Sequence, residues 1–316
     1  MRSIADTLAT MRSMTDTARR GTPVAHVKPD EFADFGSNPG ALKARIFIPA
    51  ALPPNAPLVV VLHGCTQSAA GYDHGSGWSQ IAERGGFALL FPEQQRANNA
   101  NLCFNWFSPE DSRRDAGEPL SIRQMVAAMV ERYRLDPARV FVTGLSAGGA
   151  MASVMLATYP EIFAGGAIIA GLPFGSARNV SQALDRMRGH GGPDDAALAG
   201  LLRLASPHDG PWPTIAIWHG TADATVSSAN ADAILAQWRA VHGVGEEPSV
   251  SDLVDGYPHR VWHDRRGRPA IEDYRITGLG HGTPLDTHGA DGCGNAGAYM
   301  LEAHISSTRR IAHAWG

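Results

Sequence analysis

The chain has 316 residues but only three cysteines, too few to support a disulfide-rich scaffold. Cys65, Cys103 and Cys293 also lack the C-x-x-C spacing of common zinc sites. At most one disulfide can form within the chain. The residues alone leave open whether one forms or whether all three are small buried thiols.

Charge is also scarce, since Asp, Glu, Lys and Arg make up 18% of the residues and the net charge is -4. No basic patch or acidic tail is present, which argues against nucleic acid and membrane surfaces as partners.

No apolar run approaches the roughly 18 residues needed to cross a bilayer. Residues 1–21 contain no secretory hydrophobic region, because charged residues interrupt them: Arg2, Asp6, Arg12, Asp16, Arg19 and Arg20. A cytoplasmic protein, a protein whose signal has been removed, and export by another route remain as alternatives.

The length suits one α/β domain with a large core. Residues 1–22 have a helix-compatible composition and end at a Gly-Thr-Pro break, which predicts an appended helical arm. Residues 23–316 are predicted to form a single domain. Within it, residues 177–213 contain a Gly-His-Gly-Gly-Pro run and indicate an insertion that forms part of a lid or substrate wall.

Strand and helix patterns alternate along this domain. Apolar runs predict strands over residues 43–49, 57–63, 87–92, 139–144, 166–170, 214–219 and 272–277. Helical spacing predicts helices over residues 122–133, from a capping Ser228 to Gly243, and from about Ala296 to Ala314. This alternation favours a doubly wound, mostly parallel sheet with helices on both faces.

The most informative segment is Gly144-Leu145-Ser146-Ala147-Gly148, which follows a predicted strand and precedes a predicted helix. This is the G-x-S-x-G nucleophile elbow in its required context. Small residues let the backbone turn sharply, so that the Ser146 hydroxyl is held at the tip. We therefore expect Ser146 to be a nucleophile.

A serine hydroxyl needs a base within reach and a third group that orients the base. Asp223 follows the strand at 214–219, and His281 lies in a glycine-flanked turn after the strand at 272–277. This order, acid before histidine, is that of the α/β-hydrolases. The rival acids Asp252, Asp255 and Asp264 and the rival bases His259, His263 and His288 lack such settings.

Two backbone N–H groups are expected to stabilise the charged tetrahedral intermediate, at about 3 kcal/mol each. One belongs to Ala147, the residue after the nucleophile. The other belongs to Cys65, in the loop after the strand at 57–63. His63 is expected to brace this loop by a hydrogen bond and to take no part in proton transfer.

Five segments in order carry a specific resemblance. They are His63-Gly64-Cys65-Thr66-Gln67, Cys103-Phe104-Asn105-Trp106-Phe107, Gly144 to Met151, His219-Gly220-Thr221-Ala222-Asp223 and Gly280-His281-Gly282-Thr283-Pro284-Leu285. Across residues 40–315 the chain resembles the poly(3-hydroxybutyrate) depolymerase family of esterases, neighbours of the feruloyl and acetylxylan esterases.

This resemblance implies an α/β-hydrolase fold and hydrolysis of carboxylic esters. By motif it implies Ser146 as nucleophile, Asp223 as orienting acid and His281 as base. It also implies a disulfide between Cys65 and Cys103, and secretion. An extracellular location is therefore expected, with the cytoplasm as the alternative.

Relatives that attack solid polymer commonly carry a linker and a separate binding domain, whereas this sequence ends after its last predicted helix. The expected substrates are therefore soluble short-chain esters or hydroxyalkanoate oligomers. Tyr72, Trp106 and Trp262 are candidates for apolar subsites, with packing in the core as the alternative.

The sequence thus predicts a serine esterase that works through an acyl-enzyme without a cofactor or metal. Residues 285–291 contain oxygen and nitrogen ligands, but their spacing matches no zinc or calcium loop. An acyltransferase, a feruloyl or acetylxylan esterase and a serine peptidase on the same fold are alternatives. A non-catalytic protein that retains the hydrolase shape is the alternative from another class.

Overall fold

A computed structural model describes residues 29–316 of the chain. The predicted arm over residues 1–22 lies outside these residues. The strands are β1 (Asp30–Phe32), β2 (Lys43–Phe47), β3 (Leu58–Leu62), β4 (Ala88–Glu93), β5 (Val140–Leu145), β6 (Gly165–Ile169), β7 (Thr214–Gly220), β8 (Val250–Val254), β9 (Tyr257–His263), β10 (Pro269–Ile276), β11 (Thr283–Leu285) and β12 (Met300–Glu302). The helices are α1 (Ala69–Ser76), α2 (Trp78–Gly85), α3 (Gly117–Tyr133), α4 (Ala147–Thr158), α5 (Val180–Met187), α6 (Asp195–Leu204), α7 (Ala229–His242) and α8 (Ser307–Ala314).

Ten strands form one sheet in the order β1-β2-β4-β3-β5-β6-β7-β10-β9-β8. The six central strands, β4-β3-β5-β6-β7-β10 in sheet order, pair in parallel. The two strands at each margin, β1 and β2 on one side and β9 and β8 on the other, are joined by antiparallel pairing. The predicted doubly wound, mostly parallel sheet is confirmed. Because the central strands are parallel, the loops after β3, β5, β7 and β10 leave the same edge, where sites of open α/β sheets form.

Helices cover both faces of the sheet, as strand β3 illustrates. Leu58, Val60 and Leu62 belong to one apolar cluster, which includes residues of α3, α4 and α7. Val59 and Val61 belong to a second cluster, which includes residues of α1, α2 and α8. A strand buried on both faces has to be apolar at every position, which is why its sequence shows an unbroken run. Within residues 29–316, no helix combines the length and hydrophobicity needed to span a bilayer.

The sequence analysis predicted no strand in the region that forms β8 and β9. The two strands form an antiparallel hairpin, with Val254 paired to Tyr257. Asp255 and Gly256 between them both have positive φ, at 51° and 83°. Such a turn favours Asp-Gly and matches the twist of the strands. The Asp-Gly pair was therefore a hairpin signal that the sequence analysis missed.

The helix predicted from about Ala296 is wrong over its first half. Residues Met300–Glu302 form β12, which pairs in parallel with β11, and the helix begins only at Ser307. Ser306 caps that helix, since its Oγ accepts a hydrogen bond from Arg309 N at 3.2 Å. Ser228 occupies the position before α7, but its side chain makes no capping hydrogen bond, so its predicted role as a cap is also wrong.

The predicted insertion contains α5 and α6, which lie between β6 and β7 along the chain. Helix α6 packs against α7 on the outside of the sheet. Asn230 of α7 also donates a hydrogen bond to the carbonyl of Arg186 in α5, at 2.8 Å. The segment is thus attached to the body of the domain.

Candidate active site

Ser146 lies in a sharp turn between β5 and α4. Its φ of 58° and ψ of -118° are unusual for a residue other than glycine. The turn is held on both sides, because Ser146 N donates to Ile169 O at 2.9 Å and Ala150 N donates to Ser146 O at 2.8 Å. Strained backbone of this kind persists where the surroundings enforce it, and it clusters at functional sites.

Two glycines are required by the close packing around this turn. A β-carbon at Gly148 would collide with the backbone oxygens of Leu62 and His63. A β-carbon at Gly144 would collide with the backbone of Gly148. The glycines of the G-x-S-x-G segment therefore let α4 start directly against strand β3.

Asp223 and His281 meet because β7 and β10 are neighbouring parallel strands. The loops that follow these strands are joined by backbone hydrogen bonds of 3.0 Å each, from Thr221 N to Ile276 O and from Ala222 N to Leu279 O. His281 Nδ1 donates to Asp223 Oδ2 at 2.7 Å. The two side chains are 58 residues apart in sequence, yet form one hydrogen-bonded pair.

The Asp223 carboxylate is oriented on its other side by backbone. Its Oδ1 accepts hydrogen bonds from Thr225 N at 2.9 Å and Val226 N at 2.8 Å. Burial alone would raise the pKa of Asp223, but the hydrogen bond and charge of His281 outweigh it and lower the pKa. An ionised carboxylate only accepts hydrogen bonds, so we assign the His281 proton to Nδ1. Nε2 is then free to act as a base.

Ser146 and His281 line the same narrow cleft. It contains about 220 Å³ of empty space and is lined by Gly64, Cys65, Gln67, Leu145, Ser146, His281 and Tyr299. In this structure no hydrogen bond joins the side chains of Ser146 and His281. Such bonds are often long in unliganded enzymes and shorten when substrate binds. The insertion at residues 177–213 contributes no residue to this lining.

The backbone N–H groups of Cys65 and Ala147 belong to residues at or next to this cleft. Ala147 is the first residue of α4, where an N–H has no partner within the helix. Among residues 29–316, no hydrogen bond outside regular secondary structure takes up either N–H. Both residues are adjacent to or part of the cleft lining. They can therefore donate to a bound oxygen.

The loop that carries Cys65 is braced by its neighbours. Gly64 N donates to Gln67 Oε1 at 2.8 Å, and Thr66 N donates to Asn101 O at 2.7 Å. His63 Nδ1 bonds to Gly64 O at 2.7 Å, while its Nε2 accepts from Gln94 N at 3.1 Å. Burial lowers the pKa of His63, which favours the neutral ring that these two bonds require. The predicted bracing role of His63 is confirmed.

Behind this loop lies a buried carboxyl group, Glu118. It accepts hydrogen bonds from Gln94 Nε2 at 2.5 Å and from Asn105 N at 2.9 Å. Burial, and next the nearby charge of Asp111, raise the pKa of Glu118 to about 8. Gln94 N in turn donates to His63 Nε2, so Gln94 links Glu118 to the loop that carries Cys65.

The raised pKa of Glu118 predicts a pH-dependent stability. The folded protein keeps a proton that the unfolded chain releases above its ordinary pKa of 4.5. The protonated Glu118 therefore contributes to the free energy of unfolding. Its contribution is complete below pH 4.5 and is lost as pH rises through about 8. We expect a fall of roughly 4–5 kcal/mol at most across this window, and a shallower fall in Glu118→Gln. Urea denaturation of both proteins at several pH values measures the slopes, and equal slopes would contradict the assignment.

Cys65 and Cys103 form a disulfide that joins the loop after β3 to the segment near Asn105, while Cys293 is free and buried. The bridged residues are 38 positions apart, and closing a loop of this size stabilises a fold by about 2–4 kcal/mol. We expect the Cys65→Ser/Cys103→Ser double variant to lose about that much free energy of unfolding. Its kcat should also fall, because the Cys65 N–H is no longer held in place. Denaturation and ester hydrolysis measure the two effects, and unchanged stability would refute the first.

The three aromatic side chains predicted as subsites do not line the cleft. Tyr72, Trp106 and Trp262 are 0%, 6% and 1% exposed and belong to the apolar clusters. The Tyr72 hydroxyl bonds to Thr283 Oγ1 at 3.2 Å, and Trp262 Nε1 donates to Glu246 O at 3.2 Å. The polar atoms of Tyr72 and Trp262 are thus occupied within the protein. Their burial favours the stated alternative, in which these three side chains pack in the core.

Tyr299 is a residue of the cleft that the sequence analysis missed. Its ring stands edge-on to that of His281, with 6.0 Å between the ring centres. Its hydroxyl is buried and has no hydrogen-bond partner among the described residues. Burial raises the pKa of this hydroxyl to about 12, so it remains a donor. No sequence signal marked Tyr299, because it lies 18 residues beyond His281 in a segment with a helical pattern.

His219 is a second missed residue, although it begins the segment that ends at Asp223. Its Nε2 bonds to Val226 O at 2.9 Å and lies 3.6 Å from Asp223 Oδ2. Burial lowers the pKa of His219, which favours its neutral form. This ring therefore positions the Asp223 loop without adding a charge to it.

The rival acids and bases have partners of their own. His259 bonds to Asp252 at 2.8 Å, on the hairpin at the far margin of the sheet. The two other rival acids form ion pairs with arginines, Asp255 with Arg310 and Asp264 with Arg268. His263 and His288, like these residues, are absent from the lining of the cleft.

The sequence of the chain matches a known protein family. The family model described as "Esterase PHB depolymerase" matches residues 42–249. The chain is 47% identical over 288 residues to poly(3-hydroxyalkanoate) depolymerase C of Paucimonas lemoignei, covering 90% of this chain and 69% of that protein. It is 30% identical over 267 residues to acetylxylan esterase A of Aspergillus oryzae, covering 82% of this chain and 85% of that protein.

A solved structure shows the same architecture. The acetyl xylan esterase from Aspergillus awamori superposes with a TM-score of 0.73 at 27% identity, over 80% of this chain and 93% of that one. The chain therefore has the α/β-hydrolase fold and belongs to the poly(3-hydroxybutyrate) depolymerase family of esterases, a family of serine carboxylic ester hydrolases.

Proposed function

We propose that Ser146, His281 and Asp223 are the nucleophile, base and orienting acid of an esterase that works through an acyl-enzyme. The observation that carries this proposal is the 2.7 Å hydrogen bond from His281 to Asp223 beside the strained Ser146, at one cleft. A buried carboxylate that fixes the imidazole tautomer leaves Nε2 as the group that accepts the serine proton.

In the first half of the proposed reaction, Ser146 Oγ attacks the ester carbonyl while His281 Nε2 takes the hydroxyl proton. The carbonyl oxygen becomes negative and is stabilised by the N–H groups of Ala147 and Cys65. Collapse of this intermediate breaks the ester bond, and the alcohol leaves with the proton that His281 returns. In the second half, water gives a proton to His281 and attacks the acyl-enzyme, and His281 then returns that proton to Ser146 Oγ as the bond to the acyl group breaks and the carboxylic acid leaves.

The substrate class follows from the cleft and the relatives. The cleft at Ser146 is narrow in this structure, which suits a short acyl group. The Paucimonas lemoignei relative is named for poly(3-hydroxyalkanoate). We propose short-chain esters and 3-hydroxyalkanoate oligomers or polymer as substrates. Acetylated xylan is the second candidate, because the Aspergillus relatives are acetylxylan esterases.

A substrate panel tests this specificity. We expect faster hydrolysis of p-nitrophenyl acetate and butyrate than of the octanoate, and release of 3-hydroxybutyrate from its oligomers. Acetylated xylan and a feruloyl ester tested alongside separate the two candidates, and higher kcat/KM on either would overturn the hydroxyalkanoate proposal. Added methanol detects acyl transfer, because a transferase forms methyl ester in preference to free acid.

We further propose that residues 23–316 act as one catalytic domain in an oxidising, extracellular compartment. The Cys65–Cys103 disulfide supports this, because reducing compartments keep cysteines as thiols. Alkylation of protein purified without reductant, followed by mass measurement, should label one cysteine out of three. Labelling of all three would contradict the proposed compartment.

A further inference from the structure

Four side chains with metal-binding atoms meet beside the two-stranded sheet, outside the cleft. They are Asp286, His288, Glu302 and His304, and one ligand atom from each lies within 4.8 Å of all the others. Asp286 and His288 follow β11, Glu302 is the last residue of β12, and His304 follows β12. None lines the cleft at Ser146, so the proposed hydrolytic reaction does not account for them.

We propose that this cluster binds one Zn²⁺ ion. Two imidazole nitrogens and two carboxylate oxygens are ligands that Zn²⁺ accepts, whereas Ca²⁺ and Mg²⁺ prefer oxygen alone. With both imidazoles neutral, the two carboxylates balance the charge of the ion. Four protein ligands make a closed site, so the proposed role of the ion is structural.

The distances suit a tetrahedral ion. Bonds of about 2.0–2.2 Å place neighbouring ligand atoms of a tetrahedron about 3.3–3.6 Å apart. His288 Nδ1 lies 3.5 Å from Glu302 Oε2, and His304 Nδ1 lies 3.8 Å from Glu302 Oε1. The side chains of His288 and His304 are 67% and 79% exposed. Both are therefore free to make the small rotations that close the coordination shell.

Hydrogen bonds already orient the two carboxylates, as in established metal sites. Glu302 Oε2 accepts from Thr287 N at 3.0 Å and from its Oγ1 at 2.6 Å. Asp286 Oδ2 accepts from Arg309 Nη2 at 3.1 Å, and its Oδ1 accepts from His288 N at 3.3 Å. The positive charge of Arg309 opposes a cation, so we expect weaker binding than in a buried structural zinc site.

An ion at this position would join β11 to β12, which pair over only three residues each. His281 lies two positions before β11, and Tyr299 immediately precedes β12. Thr283 N already donates to Tyr299 O at 2.8 Å. The ion would thus fasten the two segments that present His281 and Tyr299 to the cleft. Its expected effect is on thermal stability, and the ion takes no part in ester chemistry.

Calorimetric titration of the untagged, chelator-treated full chain with ZnCl₂ tests the proposal. We expect one ion per chain, and a rise in Tm of about 5 °C at a hundredfold excess over the dissociation constant. The His288→Ala/His304→Ala double variant should bind Zn²⁺ at least about tenfold more weakly and lose the rise in Tm. The matched control is His190→Ala/His313→Ala, which removes two other exposed histidines and should bind like the unmodified chain.

Cobalt provides an independent readout. Bound Co²⁺ should give the strong visible absorption of a tetrahedral site, and Glu302→Gln should abolish it. Unchanged Zn²⁺ affinity in the His288→Ala/His304→Ala variant would overturn the proposal, as would equal binding of Ca²⁺. Each variant should hydrolyse ester at the unmodified rate in the absence of metal. This control shows that the variant is folded, and it does not depend on the ion.

Discussion

Replacement of Ser146 by alanine is expected to lower kcat/KM for p-nitrophenyl acetate by about 10⁴-fold or more. The variant keeps the N–H donors of Ala147 and Cys65 but has no oxygen to form the acyl-enzyme. A small residual rate from transition-state stabilisation alone is expected. Initial rates at pH values near neutrality measure the loss.

The matched control for this prediction is Ser251→Ala. Ser251 is an exposed serine of β8, the strand at one margin of the sheet, whereas Ser146 follows β5 in the middle of the sheet. Its variant should hydrolyse the ester at the unmodified rate. If Ser146→Ala retained more than about a tenth of the activity, a nucleophile other than Ser146 would be required.

Replacement of Asp223 by asparagine is expected to lower kcat by about 10⁴-fold with little change in KM. Asparagine has nearly the same shape, and its carbonyl oxygen can still accept from Thr225 N and Val226 N. Its NH₂ group then faces His281 Nδ1 as a donor, which places the imidazole proton on Nε2. A protonated Nε2 cannot accept the serine proton, so the loss arises in the chemical step.

The chain offers an unusually close control in its second Asp–His pair. Asp252 accepts from His259 Nδ1 at 2.8 Å, close to the 2.7 Å of the pair at the cleft. Asp252→Asn should leave kcat unchanged, because this pair lies away from Ser146. Equal losses in Asp223→Asn and Asp252→Asn would show that the effect is structural and would contradict the assigned role.

The central sheet was predictable because burial on both faces leaves a simple pattern. Strands such as β3 have to be apolar at every position, and the G-x-S-x-G segment marks the end of β5. Since parallel strands end at one edge, the order of Ser146, Asp223 and His281 along the chain already indicated a common site. The geometry around Asp223 adds what no pattern shows, namely the two backbone donors and His219.

The C-terminal region was mispredicted for a physical reason. Leu301 and Ile305 are spaced as on a helix, but β11 offers strand partners to Met300–Glu302. Pairing between strands depends on residues distant in sequence, so a local pattern cannot reveal it. The same contact brings Glu302 and His304 to Asp286 and His288, and for that reason the spacing within residues 285–291 gave no sign of a metal site.

The sequence could not decide between a subsite and the core for the three aromatic side chains, because a large apolar residue suits both environments equally well. Their burial is decided by the tertiary packing, as with Trp262 on β9. The cleft uses Leu145 and Tyr299 as its apolar wall instead.

The most direct test of the account is to find which atom a fluorophosphonate modifies. After reaction and proteolysis, mass spectrometry should locate a single adduct on the peptide that contains Ser146, and the rate of labelling should fall sharply in Asp223→Asn. An adduct on any other residue, or undiminished ester hydrolysis by fully labelled protein, would contradict the assignment of Ser146 as the nucleophile.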